Sequence, residues 1–260
     1  MKGLDAALRM EWVRLTTLRS TAVVLALAIG LGACAALLLA TASRGERIDT
    51  EFGAILLTSG AAMVPLPIAA VLMAVLGVLT VGHDYRHGLV RPVLAAVPQR
   101  SSVVLARLYV LTGVAAFVTV VSVTANAGLG FLVTGQRPPL DVDVLRALAG
   151  YVLLVVLWTW LGAAATWLMR STAAVLTALF LVPLVVEPLI QGLSLLEPLS
   201  WLEPITKWLP FAAGRVLVLT SGATDTGGAE VTALQGGLVF GGLVAVLLTA
   251  GWVRFATTDA

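Results

Sequence analysis

His83 and His87 are the only histidines in the chain. Their spacing of four puts both imidazoles on one face of a helix. That is metal-ligand spacing, but the zinc-protease pattern needs Glu directly after the first His, and Asp84 and Tyr85 stand there instead. Two ligands do not make a site, so no metal centre is expected. No G-x-x-x-x-G-K-[ST] stretch occurs, so ATP is not bound through a P-loop. The long apolar stretches hold almost no ionisable residue, and Glu187, at the end of the fifth, comes nearest. Ion-coupled transport, voltage sensing and intramembrane proteolysis all need such residues at depth. No catalytic residue and no cofactor is therefore expected. What remains inside the apolar stretches is polar and neutral. Thr112, Thr119, Ser122 and Asn126 fall near one face of the third stretch. They would line a translocation path or, the preferred reading, pack one helix closely on another.

The elements that carry these residues follow from composition. Apolar residues make up 59% of the 260, charged residues only 12%, and the mean hydropathy is +1.01. A soluble domain carries about 25% charged residues. This excludes a disordered chain, a basic nucleic-acid-binding domain and an ordinary cytosolic enzyme, and it points to an all-α polytopic membrane protein. A helix crosses a bilayer in about 20 apolar residues. Six spans are expected over 20–42, 55–81, 104–133, 147–169, 171–187 and 231–253, with a tight turn at Arg170–Ser171. Pro65, Pro67 and Pro183 should kink their helices. Gly237, Gly241 and Gly242 suggest a close contact in the sixth. Cys34 lies in an apolar run and reads as a small buried residue. The first span is longer than a signal-peptide core, and Asp5 and Glu11 precede it, so it is not read as cleaved.

With the N-terminus inside, ten of the sixteen basic residues fall on the inner side, which predicts cytosolic termini in the cell membrane. Trp167 and Trp252, beside Arg170 and Arg254, read as inner-interface anchors. Residues 1–19 place Leu4, Leu8, Trp12, Leu15 and Leu18 at helical steps, as an in-plane interfacial helix would. Glu11 intrudes on that stripe and needs a partner, for which Arg14 is nearest in sequence. The inner loop 82–102 is longer than a connection between helices requires, and it mixes charge with apolar residues around Pro92 and Pro98. It reads as a cytosolic docking segment. Between spans five and six, Pro188, Pro198, Pro204 and Pro210 separate apolar patches too short to span. These read as outer re-entrant or interfacial helices, followed by an exposed loop over 220–228.

This arrangement resembles the permease subunit of a type-2 ABC transporter of the sort common in high-GC actinobacteria. Glu11-Trp12-Val13-Arg14, followed by Arg19-Ser20, is similar to the family's acidic–aromatic–basic entry into the first span. Asp84-Tyr85-Arg86-His87-Gly88-Leu89-Val90-Arg91 resembles its acidic–aromatic–Arg–x–Gly–x–x–Arg loop, and Pro98-Gln99-Arg100-Ser101 its Pro-x-Arg turn. Asp84 stands where Glu is commoner, Pro92 where a small residue usually continues the helix, and Arg107 replaces a usual Lys. The resemblance covers the whole six-span layout. It implies an ATP-driven exporter with two ATPase subunits docked beneath and a second permease, identical or paralogous, alongside. Glu11, Arg14, Asp84, Tyr85, Arg86, His87, Gly88, Arg91 and Arg100 would form the ATPase-coupling surface. In that surface Asp84 would cap a loop helix and Tyr85 would anchor it, while the arginines would meet acids of the ATPase or anionic lipid. Thr119, Ser122 and Asn126 would lie on the substrate path. The alternative is a non-transporting membrane protein of the same fold, such as a sensor or assembly partner.

Overall fold

A computed structural model describes residues 2–89, 92, 93, 95, 99–220 and 231–258. Their regular structure is entirely helical. Helix α1 spans Lys2–Thr17, and the single extended residue Leu18 separates it from α2, Arg19–Ala42. Then follow α3, Thr50–Leu57; α4, Ile68–Arg86; α5, Arg100–Thr134; and α6, Val142–Met169. A rod over Thr172–Ser194 comprises α7, Thr172–Leu181, a wider π-turn over Val182–Val186, and α8, Glu187–Ser194. Short pieces come next, including α9, Glu203–Thr206, and α10, Pro210–Arg215. Helix α11, Ala233–Thr258, is the last element. The loop expected over 220–228 lies, beyond Thr220, outside the described residues. Six of these elements, namely α2, α4, α5, α6, the α7–α8 rod and α11, are long and apolar enough to cross a membrane.

Helices α4 and α6 form the centre. Of their most apolar stretches, 67% and 56% of residues are buried, against 22% for α2, the α7–α8 rod and α11. The central pair touch through glycine. A side chain on Gly77 would meet the Thr159 carbonyl at 2.3 Å, and one on Gly162 would meet that of Ala74 at 2.2 Å. Only hydrogen fits there, and the backbones approach accordingly. Large side chains then fill the space around the crossing, among them Met73, Leu76, Leu111, Leu154 and Trp158. Side chains left outward on the peripheral rods, such as Leu38, Leu238 and Val246, are also apolar. A protein surrounded by hydrocarbon has that exterior.

The structure departs from the expected spans in two places. In place of one kinked helix over 55–81, α3 stops at Leu57 and α4 begins only at Ile68. Ser59 and Gly60 take positive φ, and the Gly60 N–H returns to the Ile55 carbonyl at 2.8 Å. This is a Schellman stop, and Pro65 and Pro67 then bar an immediate restart. The fifth rod runs to Ser194 rather than 187, because the π-turn around Pro183 carries the helix onward.

Three smaller expectations also change. Cys34 is exposed on α2 rather than buried. Trp167 is 2% exposed and belongs to the core, not to an interface. In α11 the close contacts fall at Gly236, Gly237 and Gly251, while Gly241 and Gly242 face open space.

Candidate functional site

The end of the bundle that carries α1 holds a buried ionic quartet. Helix α1 lies on the start of α5, where Ala7 packs with Val103 and Ala106, and Val93 covers the same contact. The face α1 buries is not the expected leucine stripe. Leu15 is buried, but Leu4 and Trp12 are exposed, and Glu11 sits at the middle of the packed face with no exposure. The carboxylate is compensated across the interface. Arg107 of α5 donates to Glu11 Oε1 from Nε at 3.1 Å and from Nη2 at 2.5 Å. The same Nη2 donates to Asp84 Oδ2 of α4 at 2.7 Å. Arg14 closes the group, with Nη1 2.9 Å from Asp84 Oδ1 and 3.7 Å from Glu11 Oε1. Its other terminal nitrogen donates to the Thr80 carbonyl.

Two acids and two bases cancel, which is the condition for burying charge at all. Such a group contributes less to net stability than to register. Any sliding of α1 along α4 and α5 leaves a charge buried and unpaired. Glu11 therefore finds its main partner in Arg107, not in Arg14. Arg107 stands in the first turn of the expected third span, directly before its uncharged run, which begins at Leu108.

Asp84 does not cap a loop helix. It lies in the last turn of α4, buried, because α4 continues through His83–Arg86. The helix ends at Gly88, whose φ of +65° lets the Leu89 N–H return to the Asp84 carbonyl at 2.9 Å. Gly88 thus terminates α4 in a Schellman motif. Tyr85 receives the Arg170 guanidinium 5.6 Å over its ring. Arg170 itself sits in a left-handed turn between α6 and α7 at φ +53°. His83 and His87 stack at 4.3 Å between centroids, and His87 Nδ1 lies 3.1 Å from the His83 carbonyl.

Arg100 is engaged inside the fold, donating to the Phe255 and Ala256 carbonyls at the end of α11. A cation there complements the helix terminus. Of the arginines assigned to coupling, Arg86 alone among the described residues lies exposed without a carboxylate partner. Arg91 lies outside the described residues.

Three of the neutral polar residues of the third span are in the packed interior, while Thr112 is half-buried. Thr119, Ser122 and Asn126 are 0%, 1% and 0% exposed. Thr119 bonds within its own helix, to the Ala115 carbonyl. The Asn126 amide donates to the Leu57 carbonyl and to Ser59 Oγ, both at 2.8 Å. It braces the break between α3 and α4, where Ser59 holds a backbone conformation costly for a residue with a Cβ. Ser122 Oγ is buried and has no hydrogen-bond partner among the described residues.

At the opposite end, Glu187 accepts from the Phe211 and Ala212 N–H groups at 2.8 and 2.9 Å and so caps α10. That contact brings Phe211 into the bundle, 5.0 Å from Trp158 and 5.6 Å from Phe240 between ring centroids. Trp158 lies midway along α6, so α10 enters well below the helix ends. The chain matches no protein-family model and no curated protein.

Proposed function

We propose that the chain is the membrane-spanning permease subunit of an ATP-driven ABC exporter. Separate ATPase subunits dock at the end that carries α1, and a second permease completes the translocation path. In this reading α1 lies in the inner leaflet with Leu4 and Trp12 in lipid, both termini are cytosolic, and α10 is an outer re-entrant helix. The observation that carries it is the quartet. Glu11 and Arg14 of α1 are tied to Asp84 of α4 and Arg107 of α5, and Val93 packs beside the contact of α1 with α5. A force on that end moves α4 and α5 with α1, because separation exposes buried charge to an unpaired state. Arg86 and His87, exposed beside the group, offer a docking partner a basic contact.

The test is a mild-detergent pull-down of the tagged protein from its native membrane. A P-loop ATPase in stoichiometric yield is expected, and Arg86→Glu should reduce that yield while the permease still inserts. Intact, abundant protein without an ATPase would overturn the exporter and favour a non-transporting membrane protein.

A further inference from the structure

From Ala69 to Arg86, helix α4 is buried except for Leu72, Val75, Leu79, His83, Tyr85 and Arg86. Tyr85 lies under Arg170. The others follow steps of three and four and make one stripe along the helix. Helices α2 and α7 each pack on α4, and Leu79, His83 and Arg86 of the stripe line a cleft that residues of α2 and Thr172 of α7 also line. Val75 and Leu72 continue the half-buried stripe along α4 beyond Leu79, and His83 and Arg86 end it.

At that end the cleft opens into a cavity of about 120 Å³. Ser20 and Thr21 from α2, Thr172 from α7, and His83, Arg86 and His87 contribute its polar groups. No carboxylate is among its described lining residues. Asp84 is on another face of α4, held by Arg14 and Arg107. His83 Nδ1 is buried and has no hydrogen-bond partner among the described residues. A fixed cation, imidazoles and hydroxyls thus surround the mouth of an apolar groove. The groove starts at the first residues of α2 and the last turns of α4, the level at which a spanning helix meets the headgroups.

We propose that this cleft binds one anionic phospholipid. Its phosphate is held by Arg86, His83 and the hydroxyls of Ser20, Thr21 and Thr172, and one acyl chain lies along Leu79, Val75 and Leu72. The charge complementarity selects an anionic headgroup over a zwitterionic one, and the apolar stripe selects a lipid over a free phosphate ion. The proposal rests on the membrane reading of the six rods and not on the exporter, so a missing ATPase partner leaves it untouched.

Native mass spectrometry of the full chain in detergent tests it. The probes are phosphatidylglycerol and phosphatidylcholine with matched chains, and inorganic phosphate as competitor. Phosphatidylglycerol adducts should form at the lower lipid concentration. Arg86→Gln should weaken them about fivefold, the usual effect of one basic residue at a membrane surface, and leave phosphatidylcholine unaffected. Leu79→Trp, which fills the groove, should weaken them as well, while Arg137→Gln at the opposite end should not. Equal binding of the two lipids would overturn the proposal, and this comparison needs no variant to fold. So would unchanged adducts in Arg86→Gln, or displacement of the lipid by inorganic phosphate at equal concentration. Release of the chain by alkaline carbonate without detergent would defeat the membrane reading itself, separately from the lipid titration.

Discussion

Glu11 and Arg107, 96 residues apart in the chain, are joined by two hydrogen bonds to a single carboxylate oxygen in the protein interior. Removing one partner strands the other. Arg107→Leu is expected to cost about 3–5 kcal/mol, because it leaves both Glu11 and Asp84 undercompensated. The double variant Glu11→Leu with Arg107→Leu keeps Asp84 opposite Arg14 and should lose less than Arg107→Leu alone. Unfolding midpoints in detergent compare the wild type, Glu11→Leu, Arg107→Leu and the double variant. Additive losses would show that the two side chains do not act as a pair.

The crossing of α4 and α6 makes a sharper steric prediction. Gly162→Ala drives a methyl group against the Ala74 carbonyl, which cannot move without its helix. A loss of about 1–3 kcal/mol is expected. Gly113→Ala meets nothing within 4 Å and should be neutral or stabilising by up to about 1 kcal/mol, since Ala is the better helix former. The same unfolding assay separates them. Equal behaviour of the two would mean the helices are further apart than described.

Asp141 gives a pH dependence. Its carboxylate accepts from the Thr50 hydroxyl at 2.6 Å and from the Val144 N–H at 2.9 Å, joining α3 to the start of α6. The Thr50 bond first, then the Val144 bond, hold its pKa below the usual value of 3.8. A depressed folded pKa stabilises the folded state above the unfolded value, and that contribution fades as pH falls through the folded one. The wild type should therefore exceed Asp141→Asn in stability at pH 6, with the gap closing below pH 3.8. Thr50→Val should narrow the gap. Thermal scans across that range measure it, and a gap that widened on acidification would contradict the assignment.

The proposed orientation is open to labelling. Exposed Cys34 is first replaced by Ser so that it does not react. A cysteine at Thr224 should then be modified by a membrane-impermeant reagent added to intact cells, and one at Gln99 should be protected until lysis. The opposite pattern would invert the topology and place α1 outside.

Much of the architecture was legible from composition and periodicity. Bilayer thickness demands about 20 apolar residues per crossing. Runs of that length between charges therefore announce six rods and the turn at Arg170–Ser171 before any contact is known. The ends of those rods were less legible. Pro65 and Pro67 suggested a kink, but the full break also needed Ser59 in a left-handed conformation and Asn126 from another helix to hold it.

The family resemblance put Glu11, Arg14 and Asp84 in a docking surface and noted Arg107 only as replacing a usual Lys. The tertiary structure made three of them, Glu11, Asp84 and Arg107, a buried lock with Arg14 at its edge. Pairing across 96 residues depends on how α1 rotates about its axis. Hydrophobicity favoured the side bearing Leu4 and Trp12, whereas the balance of buried charge turned Glu11 inward. Local apolar length is a property of the chain and sets which segments can cross a membrane. The partner of a buried charge is a property of packing, because only neighbouring helices can supply the opposite charge that makes its burial tolerable.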